Sequence, residues 1–152
     1  MPPSLPSRTE AGTLAALTLT VVGAWLPWVR KIPVRTADGS LMSTSELVQG
    51  LRPGIHGLDG FVIVGAIVAA LGTLLARWYD VSPAPFLVAA SVPILWAAGT
   101  MLAEYRSVAR YEPELGVYLT LTGGLALLVL GAARGVEVAV RRRRGEHAGP
   151  ST

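Results

Sequence analysis

The sequence contains no cysteine. That absence removes disulfides, thiolate metal sites, haem attachment and cysteine catalysis together. It leaves the redox compartment open, because a thiol-free chain suits either. Charge is also scarce. Only 15% of the 152 residues are Asp, Glu, Lys or Arg, where a soluble domain of this size carries about 25%. Lys31 is the only lysine, so nearly all positive charge is arginine.

Long uncharged runs are what the chain has instead. They cover 11–29, 60–76, 81–103 and 115–133, with no Asp, Glu, Lys, Arg or His inside them. A helix needs about 20 apolar residues to cross a hydrocarbon core of roughly 30 Å. In lipid the backbone must satisfy its own polar groups, which favours helices, and the period-2 alternation of barrel strands is absent. A soluble enzyme, a disordered chain and a disulfide-stapled secreted domain are therefore excluded. The predicted fold is an all-α membrane protein, a bundle of four transmembrane helices with a small extracytoplasmic cap. The spans are 11–29, 59–79, 82–103 and 115–136. Segment 1–10 is cytoplasmic, 30–58 forms the cap, 104–114 is an extracytoplasmic loop, and 137–152 is a basic cytoplasmic tail. Arg8 and Val22-Gly23-Ala24 also fit a signal peptide. The run continues through Trp25 to Val29, so retention as a helix is expected.

Four spans put both termini on one side. Arg8, Arg77, Arg134 and Arg141, Arg142, Arg143 and Arg144 fall there; Arg30, Lys31, Arg35, Arg52, Arg106 and Arg110 fall on the other. The near balance leaves the dense C-terminal cluster to favour cytoplasmic termini. Trp25, Trp28, Tyr105, Tyr111 and Tyr118 mark one interface, and Trp78 and Tyr79 the other.

The first connection predicts structure. Ile32 to Met42 reads as a β-hairpin around Asp38-Gly39, because both central positions of such a turn need φ > 0. Ser43 and Glu46 have capping-box spacing, and a short helix follows to about Gly50. Asp59 belongs at the start of the second helix, where a carboxylate complements the helix dipole. The very short second connection makes the second and third helices antiparallel neighbours. Pro93 should kink the third helix. Glu137 and Arg141 have i, i+4 spacing on a fourth helix that runs past the membrane, and the tail from Gly145 is expected to be disordered.

Inside the membrane, helices associate through small residues. Gly65, Gly72, Gly123, Gly124, Gly131 and Gly135 are the expected packing positions, chiefly within one bundle. Intramembrane ionisable residues, the usual mark of proton relays and transport sites, are missing. No P-loop, dinucleotide fingerprint, HExxH or GxSxG pattern occurs. His56 and Asp59 are two ligands at most, and Glu104, Glu112 and Glu114 read better as loop charges paired with Arg106 and Arg110 than as a calcium site. No catalytic, cofactor or metal site is expected. Arg141 to Arg144 fit anionic lipid headgroups better than nucleic acid.

Three short stretches carry a resemblance. They are Trp25-Leu26-Pro27-Trp28, Gly57-Leu58-Asp59-Gly60 and Gly116-Val117-Tyr118-Leu119-Thr120-Leu121-Thr122-Gly123-Gly124. Over about residues 10–135 the chain resembles small four-helix membrane proteins of archaea and actinobacteria without an assigned function. In plan it is also similar to claudin-type tetraspan proteins, which have four helices, cytoplasmic termini and a β-containing first extracellular segment. Trp28 takes the place of the claudin tryptophan, while Asp59 follows Gly57-Leu58 and the claudin cysteine pair is missing.

The expected function is a non-enzymatic scaffold or interaction protein of the cell membrane. Its cap, with Trp28, Arg35, Asp38, Leu41, Met42, Leu47, His56 and Tyr111, would bind a second copy or a membrane-protein partner. The alternatives are an oligomeric pore lined by Thr13, Thr18 and Thr20 or by Thr120 and Thr122, and an accessory subunit of a larger membrane complex.

Overall fold

The computed structural model describes residues 8–31, 38–39, 57–79, 81–106 and 111–146. In chain order these form α1 (Arg8–Trp25), β1 (Val29–Lys31), α2 (Asp59–Tyr79), α3 (Ala84–Arg106), β2 (Tyr111–Pro113) and α4 (Leu115–Glu146). Three helices, α2, α3 and α4, are long and apolar enough to cross a membrane. Their outward faces carry Phe61, Val64, Ile67, Leu71, Val92, Trp96, Leu125 and Val129, all exposed. Their inward faces carry Ala66, Ala69, Ala90, Ala97 and Ala98 together with Val62, Leu87, Ile94 and Leu127, all buried. Large apolar side chains on the outside suit a lipid solvent, and the small ones inside let the helices approach closely. The protein is a multi-pass helical membrane protein.

The first helix departs from its predicted span of 11–29. It begins at Arg8 and ends at Trp25. Pro27 explains the stop, since it lacks an N–H and disfavours helical geometry at Leu26. The start draws Arg8 and Glu10 into the helix. With these charges and several threonines, α1 does not match the apolar length of the other three.

α4 is the centre of the arrangement. It packs along both α1 and α3; α3 packs on α2, and α1 meets α2 less extensively. α1 and α4 run antiparallel in close register. Gly12 lies beside Leu130, Gly123 beside Ala16 and Thr20, and Gly23 beside Thr120 and Gly116. A Cβ on Gly23 would stand 2.6 Å from the Thr120 backbone nitrogen, so only glycine permits this approach. The α2–α3 pair uses the same device at Gly65 against Ala90 and Ile94, and at Gly72 against Phe86. α3 and α4 meet at Gly124 against Ile94, and at Gly131 against Leu87 and Val88. Gly135 is looser, with Ala84 at 4.0 Å from where its Cβ would be. α3 continues through Pro93 without a break.

The sheet joins two connections. β1 pairs antiparallel with β2, Val29 opposite Pro113, Arg30 opposite Glu112 and Lys31 opposite Tyr111. Two bonds extend this ladder into the helix ends, from Glu114 N–H to the Trp28 carbonyl (2.9 Å) and from Gly116 N–H to the Pro27 carbonyl (3.3 Å). The predicted cap has its strands elsewhere, between Ile32 and Met42. Those flanking residues lie outside the described residues, as does the short helix expected near Ser43. Asp38 and Gly39 form an exposed turn, with Gly39 at φ 81°. Gly57, at φ 64°, turns the chain into α2, which starts at Asp59 as its dipole argument predicts.

Candidate functional site: the two ends of the bundle

At the ribbon end the aromatic residues divide by role. Trp25 and Tyr118 are exposed, as an interfacial belt requires. Trp28 is not. It is only 6% exposed and donates its indole N–H to the Gly23 carbonyl at 2.9 Å. Of the residues expected in the partner-binding cap, Trp28 is thus packed inside the described bundle. The physical reason is the helix stop: Gly23 needs a donor that Pro27 cannot supply. Tyr111, half-buried, meets Tyr105 edge-on at 5.0 Å between ring centroids. This contact ties β2 to the end of α3. Glu114 pairs across the ribbon with Arg30 at 3.3 Å; Arg110, expected as a partner of the loop acids, lies outside the described residues. Asp38 is exposed. Arg35, Leu41, Met42, Leu47 and His56 lie outside the described residues.

The opposite end holds a cluster that sequence reasoning missed. Glu10 of α1 pairs with Arg77 at the end of α2 at 3.6 Å. Arg134 of α4 pairs with Glu137 at 3.0 Å and donates to the Thr9 hydroxyl. Glu137 is expected from spacing to take Arg141; the i, i+3 arginine takes it instead. The α2–α3 turn closes the end, with Val81 N–H donating to the Ala76 carbonyl and Ala84 N–H to the Ser82 hydroxyl. Between these groups opens a cavity of about 410 Å³, lined by Glu10, Arg77, Ser82, Arg134, Glu137 and Arg141 among others. A shallower groove of about 830 Å³ lies beside it, lined by Phe86, Gly135, Val138, Ala139, Arg142 and Arg143 among others. The helical state continues to Glu146, past the expected onset of disorder at Gly145, so Arg141 to Arg144 project from a helix and are all exposed.

The threonine hydroxyls bond within their own helices. Thr13, Thr20 and Thr120 are buried, and their hydroxyls donate to the carbonyls of Thr9, Ala16 and Gly116 one turn back. Thr18 and Thr122 are exposed on the bundle's outer face and bond the same way. Asp59 is buried in the first turn of α2. Among the described residues, no three His, Cys, Asp or Glu side chains gather in a way that could hold a metal.

A scan against protein-family models finds none that matches the chain, and a search of curated proteins finds no match either.

Proposed function

We propose that this chain is a non-enzymatic membrane scaffold, claudin-like in plan, that associates with a second copy or a partner through its ribbon end. α1 is a fourth span in this reading, and both termini face the cytoplasm. The register of α1 along the apolar length of α4 supports the fourth span, because a helix docked that deeply shares its neighbour's depth. The Thr9–Arg134 contact supports the common side of the termini.

One observation carries the scaffold reading. The β1–β2 ribbon ties the end of α1 to the start of α4, at the point where segment 32–56 leaves the sheet. A mobile linker needs no such anchor; a presented surface does. Against the alternative of an oligomeric pore, Thr13, Thr20 and Thr120 are buried with hydroxyls on their own helix backbones, which leaves only the exposed Thr18 and Thr122 to line one between copies.

Native mass spectrometry after mild-detergent extraction tests this. The expected result is a fixed homo-oligomer or a stoichiometric foreign chain, lost when 32–56 is replaced by a Gly-Ser linker. A monomer before and after replacement would overturn the reading, and a foreign chain retained after replacement would make the protein an accessory subunit held by its helices.

A further inference from the structure

We propose that the arginine-lined cavity binds the phosphate of an anionic headgroup. Its lining includes three arginines, Arg77, Arg134 and Arg141, against two carboxylates, Glu10 and Glu137. Each guanidinium has five donors in a planar fork suited to phosphate oxygens. Among the described residues, Arg77 and Arg134 use only part of theirs on Glu10, Thr9 and Glu137. Arg141 is exposed and makes no ion pair with a described residue.

Depth selects the ligand class. Arg77 follows directly on the uncharged run 60–76, and Arg134 directly on the run 115–133. The cavity therefore sits where apolar core gives way to headgroups. The neighbouring groove shares Val81, Ser82 and Val138 with the cavity and adds Arg142 and Arg143, which extend the positive surface outward. Depth thus favours a phospholipid headgroup over a free phosphate, and the shared chemistry is the phosphate.

The test uses the full chain in detergent, with native mass spectrometry reading retained lipid. Phosphatidylglycerol and phosphatidylcholine are offered separately. The expected result is one phosphatidylglycerol retained over phosphatidylcholine, weakened about fivefold by Arg141→Gln and by Arg134→Gln, the scale of one basic residue at a membrane surface. Arg106→Gln, at the other end of the bundle, should leave retention unchanged. Arg141→Gln breaks no ion pair with a described residue, so its loss of binding is not a loss of fold. Inorganic phosphate at millimolar concentration separates the sources. If it displaces the lipid, the site serves soluble phosphate; if it does not, the headgroup is the ligand. Equal retention of the two lipids, or equal weakening by Arg106→Gln, overturns the proposal.

Discussion

The indole N–H of Trp28 donates to the carbonyl of Gly23 at 2.9 Å, in the place where a continuing helix would have used the N–H of residue 27. Residue 27 is proline and has none. Trp28→Phe keeps a ring in the core and removes the donor. The expected loss is about 1–3 kcal/mol, the cost of a buried carbonyl left without its partner. Trp28→Ala adds a cavity and should lose about 3–5 kcal/mol. Unfolding in mild detergent, followed by circular dichroism, reads both; no loss for Trp28→Phe would mean that the hydrogen bond contributes nothing.

The α1–α4 seam should reject a single methyl group. A Cβ at Gly23 or Gly116 meets backbone atoms at 2.6 Å, which rotamer changes cannot relieve. Gly23→Ala and Gly116→Ala are expected to destabilise by about 1–3 kcal/mol through overpacking. A Cβ at Gly99 would meet nothing within 4 Å. Gly99→Ala should therefore be neutral or stabilise by about 0.5–1 kcal/mol through helix propensity. The same unfolding assay ranks all three.

The cysteine-free chain allows topology to be read without background. Single cysteines at Thr9, Ser82 and Ala139 should label from one side of a sealed membrane vesicle. Those at Asp38 and Glu112 should label from the other. Thr9 and Asp38 labelling from the same side would mean that α1 does not cross.

Thr120 separates packing from permeation. Its hydroxyl bonds to the Gly116 carbonyl at 2.9 Å, within its own helix. Thr120→Val keeps the shape and should change stability by less than about 1 kcal/mol, since its carbonyl acceptor retains the helical ladder. Thr120→Leu overfills the seam and should cost about 1–3 kcal/mol. A pore would instead show reduced ion flux in liposomes for the leucine variant at unchanged stability.

Much of the helical frame is legible in the sequence because charge is so sparse. The ends of α2 at Asp59 and Tyr79, and the start of α4 at Leu115, coincide with the expected spans. The end of α1 is not, because apolar composition continues to Val29 while Pro27 has already stopped the helix. The ribbon is not legible at all. Two three-residue strands separated by the length of α2 and α3 carry no local periodicity, and the strong Asp38-Gly39 turn signal points to a nearer pairing. The arginine end is hidden for a related reason. Glu10, Arg77 and Arg134 each read as an ordinary span boundary, and only the antiparallel packing makes three boundaries one cluster.

The seam between α1 and α4 also sets an order of events. Of the four helices, α1 leaves the ribosome before the others and its principal neighbour after them. α2 and α3 can settle against each other as a hairpin while the Gly23, Thr20 and Ala16 face of α1 still lacks its principal neighbour. The ribbon cannot close until β2 has been translated, just ahead of α4. A chain stopped before Leu115 thus presents a small-residue groove to any passing helix, and completion of α4 is what withdraws it.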